Sequence, residues 1–103
     1  MILSTTENIG RAYTVLGIAQ GSTIQSKNMF SDMGQGFKGL VGGELKSYTE
    51  MMKKARDIAT ERMIEQAAQM GADALIGIRY TTASVIQQAA EVLAYGTAVK
   101  FND

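Results

Sequence analysis

Three glycines stand at the spacing G-x-G-x-x-G, Gly34, Gly36 and Gly39, the pattern that lets a strand-to-helix turn approach a pyrophosphate. The residues before them, Asn28 to Met33, read as a weak helix rather than a strand, and no βαβ unit surrounds them. A glycine-loosened helix over Asn28 to Leu40 therefore accounts for the pattern better than a nucleotide site. Gly42 and Gly43 are better placed for a small anion, because they precede a strongly helical stretch whose first N–H groups and dipole favour negative charge. An ordinary helix start explains the same residues, with Glu44 already supplying the negative charge. Arg79 is the one charge in an otherwise apolar run, Ala74 to Tyr80, where burial is expected. It can bind an anion or pair with a carboxylate across a subunit boundary, and pairing is the favoured role. Gly42, Gly43 and Arg79 are the candidate anion-binding residues.

Metal and acid/base chemistry have less to work with. Asp57, Glu61 and Glu65 follow one another at four-residue spacing and could line up three carboxylates for a hard cation. Lys53, Lys54 and Arg62 lie among them and no predicted loop adds oxygen ligands, so a solvated ladder is the reading and no metal ligand is assigned. Met52, Met63 and Met70, three of seven methionines, fall on an apolar helix stripe, where Met fills gaps. Tyr13, Tyr48, Tyr80 and Tyr95 could line a pocket, although a buried hydroxyl usually serves structure. The chain has no Cys and no His, which removes disulfides, thiolate nucleophiles, imidazole ligands and the usual acid/base near neutral pH. No catalytic residues and no cofactor are assigned. A non-enzymatic binding or scaffold protein is expected, with an enzyme using Asp, Glu, Lys, Arg or Tyr at an interface as the alternative.

These side chains sit on a chain of 103 residues with 46% hydrophobic and 19% charged residues, enough apolar material for one domain spanning 1–103. Ten Lys plus Arg balance ten Asp plus Glu, and no basic block marks a nucleic-acid or anionic-membrane partner. The amino terminus, Met1 to Thr6, has neither a basic region nor an apolar stretch of signal or spanning length, so a cytoplasmic protein without a membrane anchor is expected.

The expected order of elements is strand, weak helix, long helix, strand, strand, an α+β pattern with a small antiparallel sheet packed on one long helix. The helix is the strongest signal. Between Glu44 and Met70, Leu45, Tyr48, Met52, Ala55, Ala59, Met63 and Met70 share one stripe, opposite Lys46, Glu50, Lys53, Asp57 and Glu61, and Gly71 is the expected left-handed cap. Glu50 with Lys54 and Lys53 with Asp57 are favourable pairs. In the first strand, Arg11 to Ala19, simple alternation puts Tyr13, Val15 and Ala19 on one face and Ala12, Leu16 and Ile18 on the other. Gly21-Ser22 can bend or bulge the chain before Thr23 to Gln25, a short β-prone continuation of the same strand or a hairpin partner. In Ala74 to Tyr80 it sets Ala74, Ile76, Ile78 and Tyr80 against Leu75, Gly77 and Arg79. The last strand, from about Val85 to Phe101 after Thr81 to Ser84, carries Leu93, Tyr95, Val99 and Phe101 on one face and small residues on the other. One helix covers one sheet face, yet two strands offer apolar residues on both. The surplus predicts a homo-oligomer.

The succession Thr14-Val15-Leu16-Gly17-Ile18-Ala19-Gln20-Gly21, Val41-Gly42-Gly43-Glu44, Ala55-Arg56-Asp57-Ile58-Ala59, Gly71-Ala72-Asp73-Ala74-Leu75-Ile76-Gly77-Ile78 and Gly96-Thr97-Ala98-Val99 resembles the YbjQ family of small bacterial and archaeal proteins, over nearly the whole chain. The resemblance implies a YbjQ-like subunit of a ring-shaped homo-oligomer, a homopentamer with a barrel-like arrangement of sheets. The family also carries a heavy-metal-binding label, which implies a metal-binding protein as a further alternative. This sequence departs from what that label needs, having neither Cys nor His, so fold and assembly carry over and no metal ligand does.

Overall fold

A computed structural model describes residues 1–26, 43–86 and 89–103. Its elements are β1 (Ile2–Leu3), β2 (Tyr13–Ser26), α1 (Gly43–Gln69), β3 (Ala74–Ile86) and β4 (Ala89–Phe101). The glycine motif at Gly34 to Gly39 and the weak helix around it lie outside the described residues. The four strands form one sheet in the order β1-β3-β4-β2. The three long strands are antiparallel as expected, while β1 pairs with β3 in parallel through Ile2 and Ala74, Leu3 and Leu75, making the sheet mixed. No pattern in the first six residues marks β1.

α1 forms where its periodicity places it. Ala55, Ala59, Met63 and Ala67 are fully buried at a strict spacing of four, with Met52, Ile64 and Met70 packed beside them. Lys46, Glu50, Lys53, Asp57 and Glu61 face solvent. Lys53 and Asp57 form an ion pair at 2.9 Å, whereas Glu50 and Lys54 are not among the ion pairs of the described residues. At the carboxyl end Gly71 takes φ 82°, its N–H bonds the Ala68 carbonyl at 3.0 Å, and Ala72 N–H bonds the Ala67 carbonyl at 3.1 Å. This is the paired-bond helix stop that a left-handed glycine permits.

The alanine stripe lets α1 lie very close to the sheet. Gly21 is buried in the middle of β2, and a Cβ there would collide with the backbone of Ala59 and Met63, and with that of Arg62 at 2.7 Å. Thr23 to Gln25 continues the same strand with no bend or bulge at Gly21-Ser22, because the missing side chain serves helix approach rather than a turn. Register shifts fall instead between Val15 and Gly17, between Ile76 and Arg79 and between Ser84 and Ile86, the first two with Gly17 at φ 149° and Gly77 at φ 60°. Each extra residue reverses the in/out alternation beyond it. Val15 and Ile18 therefore share a face, with Ala19 opposite. Likewise Ile78 and Tyr80 join Leu75 beneath α1, while Arg79 joins Ala74 and Ile76. Simple alternation is corrected at both places for this reason. Thr81 to Ser84 is also strand rather than turn, so β3 runs on to Ile86 and β4 begins at Ala89.

The main core lies between α1 and the sheet, with Ala19, Leu75, Ile78, Val92, Ala94 and Ala98 beneath the helix stripe. The other sheet face is covered only in part: Ala74, Ile76 and Val99 are buried against Ile9, Tyr13 and Phe101. Beyond them Val15 is 59% exposed, Ile18 73% and Ile24 58%, and Tyr95 is also exposed. The register puts these four side chains on the face away from α1, together with Leu93. The subunit measures 53 × 25 × 16 Å with a radius of gyration of 16.6 Å, against about 13 Å for an average domain of this length. Its accessible surface is 6615 Å², compared with about 5,700 Å² for an average monomer of this mass.

Candidate functional site

Of the three candidate anion residues, Gly42 lies outside the described residues and Gly43 is the first residue of α1. Arg79 is exposed rather than buried. The bulge at Gly77 turns it away from α1, where its Nη1 donates to the carbonyls of Thr5 at 3.0 Å and Ile78 at 2.8 Å, tying the amino-terminal segment to β3. The neighbouring Tyr80 hydroxyl meets Thr60 Oγ1 at 2.7 Å. That contact sets Arg79 level with the middle of α1, about 25 Å along the helix axis from Gly43. The two do not share a site.

The tyrosines separate as well. Tyr13 donates its hydroxyl to the Glu7 carbonyl at 2.9 Å on one sheet face, Tyr80 lies on the other, and the side chain of Tyr48 is outside the description. Asp57, Glu61 and Glu65 remain exposed on the outer face of α1. Arg11 and Asp103 form the tightest charge cluster at the chain ends: Nη2 lies 2.8 Å from Oδ1 while the guanidinium stacks 3.7 Å above the Phe101 ring. The hydrogen bond from Arg11 holds the Asp103 carboxyl below its ordinary pKa.

A cavity of about 400 Å³ opens where the edge of β2 meets the exposed sheet face, lined by Gln20, Gly21, Ser22, Arg62, Glu91 and Leu93. As an outer strand β2 leaves main-chain groups unpaired, and α1 takes up two of them. Arg62 Nη1 donates to the Ser22 carbonyl at 2.6 Å, and Gln66 Oε1 accepts from Gln20 N–H at 2.7 Å. These bonds protect the strand edge and fix the Arg62 guanidinium at the cavity wall. The carboxylate of Glu91, half-buried at the same cavity, is in none of the ion pairs among the described residues. In the sequence Arg62 stands only as a neighbour of the acidic ladder, and nothing there singles out Glu91. Their meeting depends on the β2–β4 register, which pairs Ser22 with Leu93 and Ile24 with Glu91, and local spacing carries no trace of it.

Comparison with known proteins agrees over the full length. Residues 1–102 match the YbjQ family model, whose description reads "Putative heavy-metal-binding". A UPF0145 protein of Clostridium novyi is 56% identical over 101 residues, covering 97% of this chain and 98% of its own. A second, from Vibrio campbellii, is 52% identical over 102 residues, covering 97% and 98%. A crystal structure of a Pediococcus pentosaceus protein of unknown function, assigned to the DUF74 family, superimposes with a TM-score of 0.70 at 18% identity, over 99% of this chain and 98% of that one. It shares the fold. The chain has neither thiolate nor imidazole, the usual ligands of a soft-metal centre, and methionine thioether is the one soft side-chain donor it offers. Among the described residues no three carboxylates converge, and Met63 is buried in the core with Met52 and Met70 packed against it.

Proposed function

The chain belongs to the YbjQ family, and on that premise we propose that it is the subunit of a non-enzymatic homo-oligomer that binds a small ligand or acts as a scaffold. The observation that carries this reading is the sheet face turned away from α1, where Val15, Ile18, Ile24 and Tyr95 are exposed on a thin subunit with surplus surface. A second copy suits that face because it is apolar, and an identical subunit offers an identical apolar face. Burial is worth about 25 cal/mol per Å² of apolar surface, so covering these side chains is the main force for assembly. Five subunits in a ring is the number implied by the family resemblance. The cavity at Arg62 borders the same face, which puts a ligand bound there beside a subunit boundary, where small-ligand sites are common.

Native mass spectrometry of the protein isolated from its own cells tests both parts of the proposal. A multiple of the subunit mass carrying a stoichiometric small molecule is the expected result. A bare monomer would overturn it. Because the ligands needed for a thiophilic ion are missing, a strong chelator should leave both the oligomer mass and the melting temperature unchanged, and calorimetric titration of Zn²⁺ should show no submicromolar stoichiometric site.

A further inference from the structure

Arg62 and Glu91 line one cavity with opposite charges, yet they are not paired with each other among the described ion pairs. We propose that this cavity binds a small zwitterion of the amino-acid type, its carboxylate on Arg62 and its ammonium on Glu91. The inference rests on the ligand-binding part of the function proposed above; one chain supplies every lining residue, and Leu93 places the site at the border of the face assigned to self-association.

Several observations converge on this ligand class. The volume of about 400 Å³ lies in the range of small-molecule sites, roughly 300–1,000 Å³. Arg62 spends one donor on the Ser22 carbonyl, which leaves most of its planar fork free for bidentate contact with a carboxylate and holds it in place beforehand. The Glu91 side chain is half-buried and its carboxylate is in none of the ion pairs among the described residues. A partly desolvated carboxylate is stabilised by a cationic donor, and an ammonium supplies three N–H groups. An anion alone would leave Glu91 unmatched and a cation alone would leave Arg62 unmatched. A zwitterion matches both, so the net charge of the site is conserved on binding. Leu93, on the cavity lining, offers contact to the aliphatic body of the ligand.

The probes are free α- and ω-amino acids at millimolar concentration, followed by backbone amide NMR of the full chain, with the tightest binder compared with its carboxamide and its des-amino acid. Saturable shifts at Gln20, Ser22 and Leu93 are expected, with each analogue binding about tenfold more weakly because one charge-assisted contact is lost. Glu91→Gln should abolish the preference over the des-amino acid, and Arg62→Lys should weaken carboxylate binding while keeping the charge. Light scattering on the same samples reads assembly separately: a monomer that binds amino acids upholds this site and removes the oligomer, and an oligomer that binds none does the reverse. Absence of saturable binding across the panel, or equal binding of the zwitterion and both analogues, overturns the proposal without relying on any variant that must fold.

Discussion

A methyl group at position 21 would have to displace helix backbone, since the Ala59 carbonyl, Met63 amide and Arg62 carbonyl carbon occupy its place. Side chains can rotate out of the way, but a helix backbone held by its own hydrogen bonds cannot. Gly21→Ala is therefore expected near the top of the overpacking range, about 3 kcal/mol, measured by urea unfolding. Ala59→Leu, on the helix side of the same contact, should cost about 1–3 kcal/mol, whereas exposed Asp57→Ala should stay within about 0.5 kcal/mol. Equal losses at 59 and 57 would mean that α1 does not face the sheet through its alanine stripe. At the chain end, the Asp103 carboxyl is held down by the Arg11 hydrogen bond. A depressed folded value means that its stabilising contribution is present above the ordinary carboxylate pKa of about 3.9 and lost as pH falls through the folded value. NMR titration should find Asp103 below the ordinary value in the native chain and shifted upward in Arg11→Met.

At the scale of elements, α1 could be read from residue types because its stripe, its polar face and its stop signal are all local. Replacing Gly71 by Ala tests the stop: φ 82° is unfavourable for a Cβ, and the variant should lose about 1 kcal/mol in thermal or urea melts. The facing of β4 was equally legible, with Val92, Ala94 and Ala98 beneath the helix and Leu93 and Tyr95 on the other face, but its start was not, since Val85 and Ile86 belong to β3. β2 and β3 were legible as strands but not in their facing. One extra residue at Val15–Gly17 and another at Ile76–Arg79 invert the pattern beyond them, and nothing in a two-residue period marks where an insertion sits. Gly21 shows the same difficulty from the other side, because a glycine in a strand marks either a bulge or a close approach, and only the partner element distinguishes them. The cavity pair was hidden more deeply: Arg62 and Glu91 come from α1 and β4, and the register of β2 against β4 brings them together. The amino-terminal β1 is too short for any pattern to announce it.

For the whole molecule, one face of the sheet is sealed by α1 and the other is left with Val15, Ile18, Ile24 and Tyr95 in the open. Ile18 is the most exposed of them at 73%, so a charge placed there leaves the core beneath α1 untouched and acts only on what covers the face. The direct measurement is the mass in solution of the native chain and of Ile18→Asp, by light scattering on a gel-filtration column at micromolar concentration, with circular dichroism confirming that both are folded. The account predicts a closed multiple of the 11.1 kDa subunit for the native chain, five subunits on the family resemblance, and a smaller species for Ile18→Asp with its secondary structure retained. A native chain eluting as an 11.1 kDa monomer, or an Ile18→Asp variant assembling as well as the native chain, would contradict it.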